Sequence, residues 1–169
     1  ASGSRRELAQ KPSRNERFLH QALMIEIKKD EKKQVADLAE QIYQVLKDVY
    51  AVSPWNIEQI EKDLQNPLSV YVLALEAQNL IGFLAFQGSD FEAEVLQIAV
   101  KKAYQGQKIA TALFEHLPID KEIFLEVRES NKAALLFYQK EKFIKIARRK
   151  NYYHEPVEDA IVMKRENNE

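Results

Sequence analysis

The chain has 169 residues and a mass of 19.7 kDa, which suits one ordinary domain and is too short for two well-packed ones. Because 46% of the residues are hydrophobic and 30% are charged, the composition predicts a folded protein with a sizeable core. The 25 lysines and arginines nearly balance the 26 aspartates and glutamates, which argues against a dedicated nucleic-acid-binding protein. The absence of cysteine excludes disulfides, thiolate zinc sites and cysteine nucleophiles.

The first 23 residues differ in composition from the rest. They contain five basic and two acidic residues and lack the apolar core of a signal peptide, so export is not indicated. The longest apolar run of the chain, 80–86, is far short of the roughly 20 residues that a membrane helix needs. We predict a domain boundary at Met24, with 1–23 as a flexible leader, added or native, and 24–169 as the functional domain.

The N-terminal part of that domain is predicted to contain two helices and four strands. Apolar residues at helical spacing predict an amphipathic helix over 32–50, and Asn56 can cap a second helix that ends at Leu64. Alternating and apolar runs predict strands at 24–27, 70–76, 80–87 and 92–100, with 77–79 as the turn of a hairpin.

The C-terminal part alternates strands and helices. Helices are predicted over 109–117 and 132–142, the second capped by Asn131, and strands over 122–128, 143–148 and 159–165. Hairpin strands followed by a strand–helix–strand–helix–strand segment predict an α/β (α+β) fold. Its sheet is expected to be mixed, mostly antiparallel and flanked by helices.

The segment most informative about chemistry is VLQIAV-KKAY-QGQKIA, which joins a buried strand, a turn and the start of a helix. A helix that begins directly after a strand leaves its first N–H groups unpaired and its positive dipole end accessible. Such an end suits an anion, and glycine in the turn lets a phosphate approach the backbone. Taken alone, the segment also fits a plain connection, since strand–turn–helix units are common.

Several separated motifs resemble the GNAT N-acetyltransferase superfamily and, within it, the ribosomal-protein-alanine N-acetyltransferase (RimI) branch. Residues 105–110 match the pyrophosphate-loop pattern Q/R-x-x-G-x-G/A at the first and last positions, with Lys108 where glycine is usual. More specific are the runs LEVRESN, AA and FY between 125 and 138 and the tail RRKNYY followed by EDAI, together with SPW at 53–55. The resemblance covers essentially 24–164.

The resemblance implies acetyl-CoA as acetyl donor and a protein N-terminus as acceptor, in particular the N-terminal alanine of a small-subunit ribosomal protein. Direct transfer in a ternary complex is expected, since no residue offers an obvious covalent carrier. The family pattern assigns Glu126 as general base and Tyr138 as general acid. The residues implied to hold the cofactor are Ile98, Ala99, Val100, Gln105, Gly106, Gln107, Lys108, Ile109, Ala110 and Asn131.

These roles fit the chemistry of acyl transfer. An N-terminal amine has a pKa of about 7.7 to 8.0 against about 10.4 for lysine, so it needs only modest help to lose its proton. Glu126 is intrinsically a weak base and would act through a water or in a setting that strengthens it, while Tyr138 would protonate the departing thiolate. A solvated strand glutamate and an ordinary core tyrosine remain the plain alternatives.

Three aromatic residues, Trp55, Tyr152 and Tyr153, are candidates for lining a peptide groove, with core or hairpin packing as the alternative. Lys108 could crowd a bound phosphate or point outward as an added cation, and we expect weakened but retained cofactor binding. Rival functions are a GNAT enzyme for lysine side chains or small amines and a non-catalytic acyl-CoA-binding module. We expect a cytoplasmic monomer that binds no metal, no membrane and no nucleic acid directly.

Overall fold

The computed structural model describes residues 24–167, so the leader predicted at 1–23 lies outside the described residues. Seven strands, four α-helices and one 3-10 turn follow one another in this part of the chain. In order they are β1 (Ile25–Lys29), α1 (Val35–Val49), α2 (Ile57–Leu64), β2 (Ser69–Glu76), β3 (Asn79–Gly88), β4 (Glu92–Val100), the 3-10 turn (Lys102–Tyr104), α3 (Ile109–Phe114), β5 (Glu122–Arg128), α4 (Lys132–Lys140), β6 (Ile144–Tyr153) and β7 (Glu158–Arg165).

The seven strands form one sheet in the order β1-β2-β3-β4-β5-β7-β6. The neighbours β4 and β5 run parallel, and their connection contains α3 because parallel strands need a long crossover. The pairs β1–β2, β5–β7 and β6–β7 are antiparallel. The predicted α/β fold with a mixed, mostly antiparallel sheet is therefore confirmed. No helix within 24–167 is long and apolar enough to cross a membrane.

The chain forms two compact units. In the first, which comprises 24–85 and Gln97–His116, α1 turns one apolar face inward and packs against α2. Asn56 caps α2 as predicted: its side-chain oxygen accepts a hydrogen bond from the Gln59 N–H at 2.8 Å, and Gln59 Oε1 accepts one from the Asn56 N–H at 2.8 Å. The β2–β3 hairpin closes on two residues with positive φ, Ala77 and Gln78, as a tight turn between twisted strands requires.

The second unit comprises Phe86–Leu96 and 117–167. Along β5 the buried side chains of Ile123, Leu125 and Val127 alternate with three half-buried residues on the opposite face, Phe124, Glu126 and Arg128. This alternation places Glu126 on the face of β5 opposite the buried side chains. Asn131 caps α4 as predicted, because its Oδ1 accepts a hydrogen bond from the Ala134 N–H at 3.2 Å.

Several boundaries differ from the sequence prediction, and three of them lie in the second half of the chain. The strand expected at 143–148 continues to Tyr153, because β6 pairs with β7 up to the partners Tyr153 and Glu158. The helix expected over 109–117 ends at Phe114. Three residues later, Leu117 precedes a proline, and helical backbone is disfavoured at such a residue. The helix expected over 132–142 ends at Lys140, and Lys142 adopts the left-handed conformation typical of a helix end.

Candidate functional site

The loop after β4, predicted to hold a pyrophosphate, is fixed in the first unit by side-chain hydrogen bonds. The Lys102 N–H donates to Asp48 Oδ2 at 2.7 Å, so the C-terminal end of α1 holds the start of the 3-10 turn. Gln105 Nε2 donates to the Val100 carbonyl at 2.9 Å and ties the loop back to the end of β4. These two hydrogen bonds tie the loop to α1 and to the end of β4.

A third anchor of the same loop comes from β2. The Tyr104 hydroxyl donates a short hydrogen bond to the Glu76 carboxylate, and this bond raises the pKa of Tyr104. Neither residue is part of the family pattern, and the sequence analysis assigned them no role. Their signal in the sequence is weak, because a tyrosine in a turn and a glutamate at a strand end are ordinary surface residues.

Two residues of the loop have left-handed backbone conformations. Gly106 has φ 82°, and Lys108, which immediately precedes α3, has φ 64° and ψ 22°. Glycine adopts this conformation freely, whereas a residue with a side chain does so at a cost of roughly 1–2 kcal/mol. At position 108, where the family pattern has glycine, the backbone has the left-handed conformation that favours glycine. Lys108 keeps that backbone, and its side chain is exposed.

The other predicted cofactor residues of the first unit are mostly buried. Ala99 and Val100 lie in the core at the end of β4, and Ile98 is half-buried. Ile109 is only 2% exposed, so its side chain belongs to the core and its backbone alone is available for a ligand. The side-chain carbonyl oxygen of Gln107 is buried and has no hydrogen-bond partner among the described residues.

Glu126 on β5 is the centre of a polar cluster in the second unit. Arg149 Nε forms a short ion pair with Glu126 Oε2. The Tyr152 hydroxyl also donates a hydrogen bond to Glu126, which raises the pKa of Tyr152. The Arg149 guanidinium lies 5.4 Å from the centroid of the Tyr152 ring. The structure therefore brings one predicted groove residue, Tyr152, directly to the predicted base.

Glu94 completes this cluster of Glu94, Glu126, Arg149 and Tyr152. It is the ladder partner of Phe124 on β5 and so shares a sheet face with Glu126, two residues further along. Although Glu94 is exposed overall, partial desolvation and the Glu126 carboxylate raise its pKa, an effect that Arg149 opposes. Neither Glu94 nor Arg149 was predicted from the sequence to belong to the site. The alternation of charged and apolar residues in EAEV was the available signal for Glu94.

The predicted acid, Tyr138, lies on α4 and is 8% exposed. Its ring packs against those of Phe137 and Phe143, with centroid distances of 5.7 and 6.0 Å. This packing fits the spacing of a core tyrosine and fixes the direction of the ring, while the role of its hydroxyl stays a prediction. Asn131, at the start of the same helix, uses its side-chain oxygen for the cap, and its contact with the cofactor stays a prediction.

The two remaining groove candidates have different surroundings. Tyr153 packs under the Arg128 guanidinium, 4.5 Å from the ring centroid, and Arg128 also donates to the carbonyls of Pro156 at 2.9 Å and His154 at 3.1 Å. Tyr153 thus takes part in hairpin packing. Trp55 lies in the first unit just before α2, half-buried, and its carbonyl accepts a hydrogen bond from the Ser53 hydroxyl at 2.6 Å.

Ion pairs hold the β6–β7 hairpin beside this cluster. Arg128 pairs with Glu158 at 3.2 Å, and Arg148 pairs with Asp159 at 3.0 Å and with Glu129. The Ser130 N–H donates to Glu158 at 2.6 Å. Glu158 and Asp159 therefore stabilise the β6–β7 hairpin. Within 24–167 no group of histidines and acids is arranged to hold a metal ion.

Comparisons with known proteins agree with the motifs. The acetyltransferase (GNAT) family model matches residues 34–143. The chain is 33% identical over 121 residues to the N-alpha-acetyltransferase RimI of Mycobacterium tuberculosis, covering 67% of this chain and 76% of that protein. It is 34% identical over 122 residues to the uncharacterized protein ML0378 of Mycobacterium leprae, covering 68% of this chain and only 34% of that longer protein.

Solved structures show the same relationship. The ribosomal-protein-S18-alanine N-acetyltransferase of Escherichia coli superposes with a TM-score of 0.75 at 28% identity, over 86% of this chain and 96% of that one. The NatC complex bound to Gag peptide and CoA shares the fold, with a TM-score of 0.68 at 22% identity over 85% of this chain and 99% of that one. The chain belongs to the acetyltransferase (GNAT) family and is an acetyl-CoA-dependent N-acetyltransferase, similar to the ribosomal-protein-alanine enzymes.

Proposed function

We propose that this enzyme transfers the acetyl group of acetyl-CoA to the α-amine of a protein N-terminus, with the N-terminal alanine of a small-subunit ribosomal protein, bS18, as its substrate. The observation that carries the proposal is the polar cluster around Glu126 in a chain one-third identical to an N-alpha-acetyltransferase. The form proposed to act is a cytoplasmic monomer.

In the proposed reaction the neutral amine attacks the thioester carbonyl, so that a C–N bond forms and the C–S bond breaks. Glu126 receives the amine proton through a water, and Tyr138 donates a proton to the departing thiolate. The water-mediated route is favoured because Arg149 and Tyr152 already bind the Glu126 carboxylate. Backbone N–H groups near the carbonyl would stabilise the oxyanion.

Acetyl-CoA is proposed to bind through backbone groups of the first unit. The backbone of 98–100 would hold the pantetheine arm, and the N–H groups of 105–110 would hold the pyrophosphate, with a contact from Asn131. The arrangement fits an anion, because the loop is fixed and Gly106 and Lys108 have the left-handed conformations that aim successive N–H groups together. The Lys108 side chain is exposed, which supports the alternative in which it points outward and adds a cation near the phosphates.

The proposal is tested by thiol release from acetyl-CoA with two short peptides. One has a free N-terminal alanine and no lysine, and the other has a blocked N-terminus and one lysine. Turnover with the first peptide alone is expected. Turnover with the second alone would assign the enzyme to lysine side chains. If neither peptide reacts, a titration of acetyl-CoA decides: absent binding contradicts the proposed use of the loop, and binding without turnover contradicts the proposed acceptor.

A further inference from the structure

The residues that bind Glu126 come from an irregular part of β6. Arg149 pairs with Ala160 and Tyr153 pairs with Glu158, so three residues of β6 lie opposite the single residue Asp159 on β7. Asn151, in the middle of this bulge, has a positive φ of 51°, and its N–H donates to Asp159 Oδ1 at 2.9 Å. The bulge is therefore a fixed feature, held by a side chain of the neighbouring strand.

The bulge changes which side chains share a face. Residues three apart on a regular strand point to opposite faces of the sheet, so Arg149 and Tyr152 would be separated. Here both contact the same carboxylate, that of Glu126, because a bulge redirects the side chains that follow it. The two donors and the contact between the guanidinium and the Tyr152 ring together restrict the rotamers open to Glu126.

We propose that Arg149, aimed by the β6 bulge, is a positioning residue that holds the Glu126 carboxylate in the orientation needed to accept the amine proton. The proposal rests on the proposed role of Glu126 as base. Arg149 is 58% exposed on its side chain, whereas that of Glu126 is 19% exposed. A pair with one exposed partner contributes little to folding, so its loss is expected to affect turnover and to leave stability nearly unchanged.

The test is a double-mutant cycle on the full chain, with acetyl-CoA and the peptide that has a free N-terminal alanine. We expect Arg149→Met to lower kcat by about 10- to 100-fold, because a base displaced by about 1 Å loses this much, while the KM for acetyl-CoA stays unchanged. Arg149→Lys should retain more activity, since it keeps the charge without the planar donors. In the Glu126→Gln background, Arg149→Met should change kcat by less than about twofold, since its partner is gone.

The outcomes separate the two proposals. Wild-type turnover in Glu126→Gln overturns the role of Glu126 and this inference with it. Two outcomes overturn the inference alone. In the first, Glu126→Gln lowers kcat but Arg149→Met has the wild-type kcat. In the second, Arg149→Met lowers kcat equally in the wild-type and Glu126→Gln backgrounds. Lys145→Met is the matched control, because it removes one charge from the same strand and should leave kcat unchanged.

A second pair of variants tests the bulge itself and does not depend on the folding of Arg149→Met. Asn151→Gly keeps a backbone with positive φ and should retain activity, whereas Asn151→Val disfavours that conformation and should lower kcat. Equal kcat values in the two variants would contradict the role of the bulge. The thermal midpoints of all variants show whether any loss reflects unfolding.

Discussion

The loop after β4 and the β6–β7 hairpin belong to different compact units and are held in different ways. The loop is held by backbone and amide hydrogen bonds, such as those of Lys102 and Gln105, and by left-handed residues. The hairpin is held by ion pairs, chiefly those of Arg128 and Arg148. An anion is held by N–H groups that point towards it, whereas proton transfer needs titratable side chains such as Glu126 and Tyr138. The loop should therefore respond to backbone substitutions, and the hairpin and its neighbours to changes of charge and pH.

The largest effect is expected in the second unit from Tyr138→Phe. The phenylalanine keeps the ring packed against Phe137 and Phe143 but lacks the hydroxyl that would protonate the thiolate. We expect kcat to fall by about 100-fold or more, with an unchanged thermal midpoint. Steady-state thiol release measures it. A wild-type kcat would remove Tyr138 from the mechanism.

In the first unit, Gly82→Ala should be the most disruptive small substitution. A Cβ at Gly82 would lie 3.1 Å from the Ala99 carbonyl oxygen and 3.2 Å from the Val100 side chain, so β3 and β4 would have to separate. We expect the free energy of unfolding to fall by about 1–3 kcal/mol. Urea unfolding measures the change, with Gly106→Ala as the control.

A Cβ at Gly106 meets nothing within 4 Å, so the control introduces only backbone strain, from its positive φ. It should be the milder variant, at about 1 kcal/mol. Equal losses in the two variants would mean that the close approach of the strands has no energetic consequence.

Lys108→Gly should stabilise the protein, because glycine relieves the strain of a left-handed lysine. After the greater flexibility of glycine in the unfolded chain is subtracted, we expect a gain of about 0.5–1 kcal/mol in the free energy of unfolding. Lys108→Ala removes the same charge but keeps the strain, so it should show no gain. Acetyl-CoA titrations at two salt concentrations on both variants show whether the lysine charge contributes to binding.

The smallest effect concerns the pH dependence of the hairpin. Hydrogen bonds from Ser130 and the pairing with Arg128 lower the pKa of Glu158, and the Asn151 N–H and Arg148 lower that of Asp159. Because both values lie below those of the unfolded chain, this stabilisation is complete above the ordinary pKa values and is lost as the pH falls through the lowered ones.

The free energy of unfolding in urea should therefore fall between about pH 6 and pH 3 in the wild type. Its slope against pH should be smaller in the double variant Glu158→Gln, Asp159→Asn. The effect should be modest, because both pairs are near solvent and screened by salt. An identical slope in the two proteins would mean that these acids titrate alike in the folded and unfolded chains.

Most of the elements could be predicted from the sequence where local patterns were strong. The strands Glu92–Val100 and Glu122–Arg128 and the two asparagine caps follow from alternation and capping chemistry. The end of β6 could not be predicted, because RRKNYY has no apolar alternation and forms a strand only through pairing with β7. Element boundaries depend on such partners.

For the candidate site, the motifs pointed to Glu126, Tyr138 and the loop, but the contacts around them were not predictable. Arg149 belonged to a run of charges that is typical of a solvated strand end. Its approach to Glu126 depends on a bulge and on the position of β7 between β5 and β6 in the sheet. Neither leaves a periodic signal in the chain.

Periodicity, capping and spaced motifs are properties of neighbouring positions, so the fold class, the family and the chemically capable residues could be predicted from the chain alone. The glycine-like backbone of Lys108 and the burial of the Ile109 side chain depend on the folded chain. So does the arrangement of Glu94, Arg149 and Tyr152 around one carboxylate. Glu94, Glu126 and the segment that contains Arg149 and Tyr152 are far apart in the chain, and the sheet brings them close enough for electrostatic and hydrogen-bond contacts to act.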